Sequence, residues 1–202
     1  MSSSPIQRRR TIRLLGYDYS RAGAYFVTVC THSRACLFGE ITDNEMRLND
    51  AGLVVADEWL KSAAIRNEIL LDEWVVMPNH FHGIVIITDG RGDRPVAPIS
   101  AADHFPGDQP VAPTIDGSVR TDGGNRAGPP SGSVGALMAG FKSAVTKRIN
   151  ILRGMPGVPI WQRNYHEHII RDENSLALIR RYIADNPRQW AMDRENPAMG
   201  NR

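Results

Sequence analysis

The stretch EWVVMPNHFHGIVII, residues 73–87, constrains the fold most strongly. It contains two apolar, β-prone runs, EWVVM and FHGIVII, with Pro78 and Asn79 between them. Proline and asparagine are typical of tight turns, so the pattern predicts two paired strands. Because side chains alternate along a strand, His80 and His82 should project from one face and Phe81 from the other. The sequence therefore predicts two imidazoles on the same face of a strand.

The rest of the chain supplies further strands and helices, recognised by β-branched runs, turn residues and apolar residues at helical spacing. The predicted elements are a strand at 24–32, a hairpin at 36–49 that turns at Asp43 and Asn44, a helix from Asn49 or Asp50 to about Arg66, the strand pair within 73–87, an amphipathic helix over 134–153, a strand at the end of 161–171, and a helix from Asp172 or Asn174 to Pro187. This order predicts an α+β fold, an antiparallel sheet with helices packed on one face.

One catalytic domain is expected, formed by residues 1–88 and 134–190. The segment between them, 89–133, is rich in Gly and Pro and poor in large apolar side chains, which predicts a flexible or disordered insertion. Residues 191–202 form a short C-terminal tail. A hydrophobic content of 42% is enough for one ordinary core.

Composition excludes several classes of protein. Two cysteines cannot build a disulfide framework or a four-cysteine zinc site, which favours a reducing compartment. No run approaches the roughly 18 apolar residues of a membrane span, and the basic N-terminus lacks the apolar stretch of a signal peptide. A soluble, cytoplasmic protein with no membrane partner is the expectation. The net charge of +2 is small, so any polyanion must be recognised by locally grouped cations.

The His80–His82 pair has the geometry of a two-imidazole metal clamp, since both rings can reach one ion. Two histidines at a strand end are also often no more than hydrogen-bonded and half exposed. The spacing alone does not decide between these interpretations. A metal site needs a third ligand, and a reaction needs a further group.

The last helix offers candidates for both. Tyr182 and Asn186 are four residues apart and therefore neighbours on one helical face, beside an apolar stripe that should bury against the sheet. A phenol and an amide oxygen are thus presented together. The alternative is that Tyr182 is half-buried with its hydroxyl in water, while Asn186 merely ends the helix before Pro187.

Three segments together, VVMPNHFHGIV, WQRNYHEHIIR and YIADNP, resemble the REP-associated tyrosine transposases, single-strand transposases of the HUH nuclease superfamily. The resemblance spans nearly the whole chain except 89–133. It implies a ferredoxin-like HUH fold, a divalent metal bound by His80 and His82, a helix-borne nucleophile at Tyr182, and a polar ligand at Asn186. Many relatives have Gln at this last position.

The implied activity is metal-assisted cleavage and rejoining of hairpin-associated single-stranded DNA through a 5′-phosphotyrosine. The resemblance favours magnesium or manganese, whereas the ligand types alone also allow zinc. The partner would be single-stranded or hairpin DNA, and the active unit a monomer or a homodimer. The candidate phosphate contacts are Lys142, Lys147, Arg148, Arg163, Arg171, Arg180 and Arg181.

Other interpretations remain open at this stage. Tyr165, beside His166 and His168, is a competing nucleophile, although its segment predicts a strand. His168 could support the site, and His32 could approach it from the end of the first strand. At the level of function, the alternatives are a domesticated hairpin-binding protein that does not cut DNA and a zinc hydrolase that uses a metal-bound water.

Overall fold

The computed structural model describes residues 18–88 and 129–199. Its elements follow the predicted order. They are β1 (Gly23–Cys30), β2 (Gly39–Thr42), β3 (Glu45–Leu48), α1 (Asp50–Ala64), β4 (Ile69–Val76), β5 (His80–Ile87), α2 (Val134–Leu152), β6 (His166–Ile170) and α3 (Glu173–Gln189). Most of the predicted insertion, and the chain before residue 18, lie outside the described residues. No helix within the described ranges is long and apolar enough to span a bilayer.

Four strands form one sheet in the order β4-β5-β1-β6, and every neighbouring pair is antiparallel. The hairpin of β2 and β3 forms a separate two-stranded sheet. Its turn residues Asp43 and Asn44 both have positive φ, 54° and 63°, as a two-residue turn that follows the strand twist requires. The predicted hairpin turn is confirmed.

One face of the sheet packs against α1 and α2. Phe81 of β5 contacts Trp59 of α1 and Phe141 of α2, with ring centroids 4.6 Å and 5.4 Å away. All three side chains are almost completely buried. This face therefore carries the main hydrophobic core of the described chain.

The opposite face packs against α3. Phe26 of β1 and Ile84 of β5 form a smaller core with the apolar stripe of α3, which consists of Leu176, Ile179 and Ile183. The predicted α+β class and antiparallel sheet are confirmed, but the helices are not all on one face. The reason is that the two central strands are buried on both sides, so each face needs its own cover.

The helix starts follow the sequence closely. Asn49 caps α1 and Asp172 caps α3, each through a side-chain oxygen that accepts a backbone N–H three residues later. The end of α3 differs from the prediction, because the helix continues through Pro187 to Gln189. Pro187 lies in the last turn, where its missing N–H removes only the bond to the carbonyl of Ile183.

Candidate active site

The histidine pair lies at the start of β5, on the face that packs against α3. His80 is opposite Cys30 of β1 and His82 is opposite Thr28. The exposed fractions of His80 and His82 are 0% and 4%, and their ring centroids are 4.6 Å apart. The two imidazoles are therefore buried side by side, unlike histidines at a half-exposed strand end.

Asn79 orients the ring of His80. The Asn79 amide donates to the carbonyls of Glu195 and Arg34, at 2.5 Å and 3.0 Å, so its oxygen faces Nδ1 of His80 at 2.9 Å. Nδ1 must therefore donate, and Nε2 keeps its lone pair. A hydrogen bond of this kind from the far nitrogen is how metal-binding histidines are usually held.

Thr28 has the corresponding place beside His82. Its hydroxyl lies 2.8 Å from His82 Nδ1, across the β1–β5 pair. When Nδ1 donates this hydrogen bond, Nε2 of His82 also keeps its lone pair. Asn79 thus fixes His80 with Nε2 as an acceptor, and the Thr28 hydroxyl allows the same tautomer of His82.

Helix α3 brings the phenol to the histidines. Tyr182 Oη lies 3.4 Å from His82 Nε2, a contact too long for a strong hydrogen bond. Phe26 packs against both rings, with centroids 5.3 Å from His82 and 6.1 Å from Tyr182. The predicted meeting of the strand histidines with the helix tyrosine is therefore present in the fold.

Two buried acceptor atoms have no hydrogen-bond partner among the described residues, namely His80 Nε2 and Asn186 Oδ1. Asn186 is 2% exposed and lies one turn beyond Tyr182 on α3. Burying such groups without partners costs free energy, and a bound cation would remove that cost. The donor set of two imidazole nitrogens and one amide oxygen fits a divalent metal. Within 18–88 and 129–199, no three His, Cys, Asp or Glu side chains form a metal-binding group.

Burial controls the protonation of the site. It lowers the pKa of His80 to about 4, although Asp193 and the amide of Asn186 oppose the shift. Burial also lowers the pKa of His82 well below its ordinary value, with help from His80 and His166. Both imidazoles are therefore neutral at pH 7, as metal ligands must be.

The phenol of Tyr182 is also perturbed. Burial, followed by the nearby carboxylate of Asp193, raises its pKa to about 12, while an interaction with Asn186 opposes the shift. The phenolate is thus disfavoured in the metal-free protein. A cation beside it would act in the opposite direction.

Two C-terminal residues at this site were not predicted from the sequence. After α3 the chain passes beside the histidines, and Asp193 Oδ2 lies 3.8 Å from His80 Nε2. Because His80 is neutral, this contact is not an ion pair. Glu195 is 6% exposed and contacts Arg34 at 3.0 Å. Asp193 and Glu195 were not predicted, because no spacing links them to the histidine motif. Thr28 could have been found, since it is a polar residue within an apolar strand.

Tyr165 and His32 lie away from the histidine pair, whereas His168 is on the same face of the sheet. Tyr165 packs with the α1–α2 core and donates to Glu167 at 2.7 Å, so its phenol is on the other side of the sheet. His32 is exposed beyond the end of β1. His168 is opposite Phe26 in the β1–β6 register, which places it on the α3 face, two residues from His166.

The seven predicted DNA contacts fall into two groups. Three of these cations are already engaged by protein groups: Arg180 by Asp72, Arg148 by Asp57 and Glu58, and Lys142 by the backbone carbonyls of 162–164. Lys147, Arg163 and Arg181 are exposed, and Arg171, half-buried two residues before α3 begins, interacts electrostatically with His168. Contact of any of the seven with DNA stays a prediction.

Comparison with known proteins agrees with this geometry. No protein-family model matches the chain. An uncharacterized protein of Haemophilus influenzae is 35% identical over 189 residues, which cover 93% of each chain. The structure of a REP-associated tyrosine transposase bound to a REP hairpin matches with a TM-score of 0.50 and 18% identity, covering 92% of this chain and 74% of the other. The chain therefore belongs to the same family as the Haemophilus influenzae protein and has the fold of a REP-associated tyrosine transposase.

Proposed function

We propose that the protein is a transposase-type enzyme that nicks and rejoins single-stranded DNA beside a hairpin, with Tyr182 as the nucleophile. The observation that carries this proposal is the position of Tyr182 Oη, 3.4 Å from Nε2 of a buried, neutral histidine. A phenol held beside a potential metal ligand is the arrangement that phosphoryl transfer to tyrosine needs.

The reaction balances without any co-reactant. The oxygen of Tyr182 bonds to the scissile phosphorus, and the bond from phosphorus to the 3′-oxygen breaks. The proton lost by the phenol is matched by the proton gained by the free 3′-hydroxyl. Because one phosphodiester replaces another, the 5′-phosphotyrosine keeps the energy needed for rejoining.

His80, His82 and Asn186 would hold a divalent cation, magnesium or manganese, which would offset the charge of the phosphate oxygens and favour the phenolate. The contacts of the Nδ1 atoms support this role, because His80 Nδ1 donates to the Asn79 amide oxygen and leaves Nε2 as an acceptor, and the Thr28 hydroxyl allows the same tautomer of His82. The two unpartnered acceptors, His80 Nε2 and Asn186 Oδ1, are the atoms such an ion would satisfy.

Hairpin DNA is the proposed substrate because the structural neighbour was solved with a REP hairpin. A single strand beside the hairpin can bend into the site, which a duplex cannot easily do. Arg181 is exposed and adjacent in sequence to Tyr182, and we propose that it contacts the DNA backbone near the scissile phosphate.

The test is to incubate the full chain with labelled hairpins from the DNA that flanks its own gene, in the presence of magnesium or manganese. A protein–DNA adduct that survives denaturing electrophoresis is expected. Tyr182→Phe should retain hairpin binding and lose the adduct, because only the attacking oxygen is removed.

Tyr165→Phe is the matched control, since it removes a phenol from the opposite side of the sheet. It should form the adduct at the wild-type level. Nicking without attached protein would indicate a water nucleophile and a hydrolase. Binding with neither nicking nor adduct in the wild type would indicate a hairpin-binding protein instead.

A further inference from the structure

One carboxylate beside the histidine pair has no part in the mechanism proposed above. Asp193 lies four residues after the end of α3, where the chain passes beside His80. Its side chain is only 10% exposed, and its Oδ2 faces His80 Nε2 at 3.8 Å. Within the described residues, no lysine or arginine forms an ion pair with this carboxylate. A nearly buried anion beside a neutral imidazole costs free energy unless a cation offsets its charge.

The segment that carries Asp193 is anchored at the site. The backbone N–H of Glu195 donates to Asp193 Oδ1 at 2.7 Å, and the buried Glu195 carboxylate pairs with Arg34 at 3.0 Å. The Glu195 carbonyl accepts the 2.5 Å hydrogen bond from Asn79, which is the residue that orients His80. Oδ1 of Asp193 is therefore occupied, while its Oδ2 is directed toward His80.

The spacing of the two facing atoms suits a shared ion. Metal–ligand bonds of about 2.1 Å let two atoms up to about 4.2 Å apart contact one ion, and neighbouring ligands of an octahedral ion are about 3.0 Å apart. The 3.8 Å between Asp193 Oδ2 and His80 Nε2 lies between these limits. No three His, Cys, Asp or Glu side chains of the described ranges already form a finished metal site. The carboxylate should therefore move toward the ion by less than about 1 Å when the ion binds.

A carboxylate also balances the charge of the proposed ligand set. His80, His82 and Asn186 are all neutral, so they leave both charges of a divalent ion uncompensated in a buried site. Magnesium and manganese prefer oxygen ligands, carboxylates among them. Asp193 is also close enough to Tyr182 to contribute, after burial, to the raised pKa of its phenol. A cation bound to this carboxylate would offset that influence on the nucleophile.

We propose that Asp193 is a fourth ligand of the divalent ion held by His80, His82 and Asn186, and that it supplies the negative charge of the site. The residue lies outside the histidine and tyrosine motifs and reaches the site through the segment after α3. The choice of magnesium or manganese over zinc then depends on Asp193, because the remaining ligands are mostly imidazole. This inference rests on the proposed function, since it takes the same metal site.

The test measures the manganese affinity of the full chain without DNA, by electron paramagnetic resonance of the free ion. The variant is Asp193→Asn, which keeps the size of the side chain and an oxygen for the Glu195 N–H but removes the charge. Its control is Asp43→Asn, which makes the same change at a side chain that is 85% exposed in the turn between β2 and β3. His80→Ala is the reference for a lost ligand.

Asp193→Asn should bind manganese at least about tenfold more weakly than Asp43→Asn, which should bind it like the wild type. The affinity of Asp193→Asn for zinc should fall less, because zinc readily accepts imidazole ligands. In the presence of a chelator, the urea midpoint of Asp193→Asn should equal or exceed that of the wild type, since the amide removes a buried charge. A merely structural role of the carboxylate would lower that midpoint instead.

Equal manganese affinity of Asp193→Asn and Asp43→Asn would overturn the inference. If His80→Ala loses manganese in the same experiment, the metal site and the proposed function survive that result. A loss of affinity in Asp193→Asn together with a lower urea midpoint in chelator would assign the carboxylate to the fold and also overturn the inference. If the wild type binds no manganese, the inference fails, and the proposed function fails with it only if no DNA adduct forms.

Discussion

The two faces of β5 differ in what they bury. On one face, Phe81 packs between Trp59 and Phe141 in a core that leaves little room. Gly83 on the same strand has so little space that an added Cβ would lie 2.7 Å from Trp59. On the other face, His80 and His82 are equally buried but contact polar groups, and His80 Nε2 and Asn186 Oδ1 have no hydrogen-bond partner within the described part of the chain.

This difference shows how one strand both stabilises the fold and builds a site. The period of two along the strand separates the roles residue by residue, so that the apolar set carries the packing energy. The fold can then tolerate the free-energy cost of burying the histidines, because packing on the opposite face holds the strand in place. Each face should therefore respond differently to mutation.

The largest expected effect on stability comes from Phe81→Ala. Truncating this fully buried ring should lower the free energy of unfolding by about 3–5 kcal/mol, through lost burial and the cavity left behind. Tyr182→Phe, on the other face, should change it by about 1 kcal/mol or less, because it removes one hydroxyl that makes a long contact to His82 and an interaction with Asn186. Urea denaturation of both variants measures this. A large loss in Tyr182→Phe would show that the α3 face is an ordinary core.

Acid should destabilise the metal-free protein through its histidine face. The folded-state pKa of His80 is about 4, below its ordinary value of about 6.5, so the unfolded chain binds the proton first as pH falls. Stability should therefore be greatest above about pH 6.5 and decline by a few kcal/mol toward pH 4. Urea denaturation with a chelator at several pH values measures the slope. His80→Gln should flatten it, and an unchanged slope in that variant would contradict the assignment.

Divalent metal should stabilise the wild-type chain. Manganese at 100 times its Kd would add about 2.7 kcal/mol, or roughly 5–10 °C in Tm for a chain of this size. His80→Ala should lose most of that rise, because it removes one of the unpartnered acceptors. Differential scanning fluorimetry measures the effect. Cys36→Ser, an exposed position away from the site, is the control and should keep the full rise.

A smaller effect on stability is expected from the ion pair that links α3 to β4. Arg180 donates two hydrogen bonds to Asp72 of β4, but its side chain is 42% exposed and solvent screens the pair. Arg180→Ala should therefore cost only about 0.2–1 kcal/mol. Thermal unfolding measures this, with the exposed Arg181→Ala as the neighbouring control. A loss above about 2 kcal/mol would mean that the ion pair, rather than the apolar stripe, holds α3.

Much of the fold followed from local patterns. The Asp43–Asn44 turn and the caps at Asn49 and Asp172 were predictable because each depends on residues adjacent in the chain. The face occupied by α3 was not, because strands buried on both sides carry no alternation that marks a solvent face.

The candidate site was only partly predictable. The i, i+2 spacing of His80 and His82 and the one-turn spacing of Tyr182 and Asn186 are visible in the sequence. The partners that orient the rings are not, since Thr28 is 54 residues from His82 and Asn79 bonds a carbonyl 116 residues away. Asp193 is equally remote from the motif. Such contacts depend on the tertiary fold and have no period in the sequence.

Mapping the DNA attachment point tests the central claim most directly. After reaction with a hairpin substrate and digestion with nuclease and trypsin, mass spectrometry should find the nucleotide on the peptide 182–188, attached to Tyr182. Attachment to the peptide 164–171, which contains Tyr165, would contradict the account. Cleaved DNA with no modified peptide would contradict it equally.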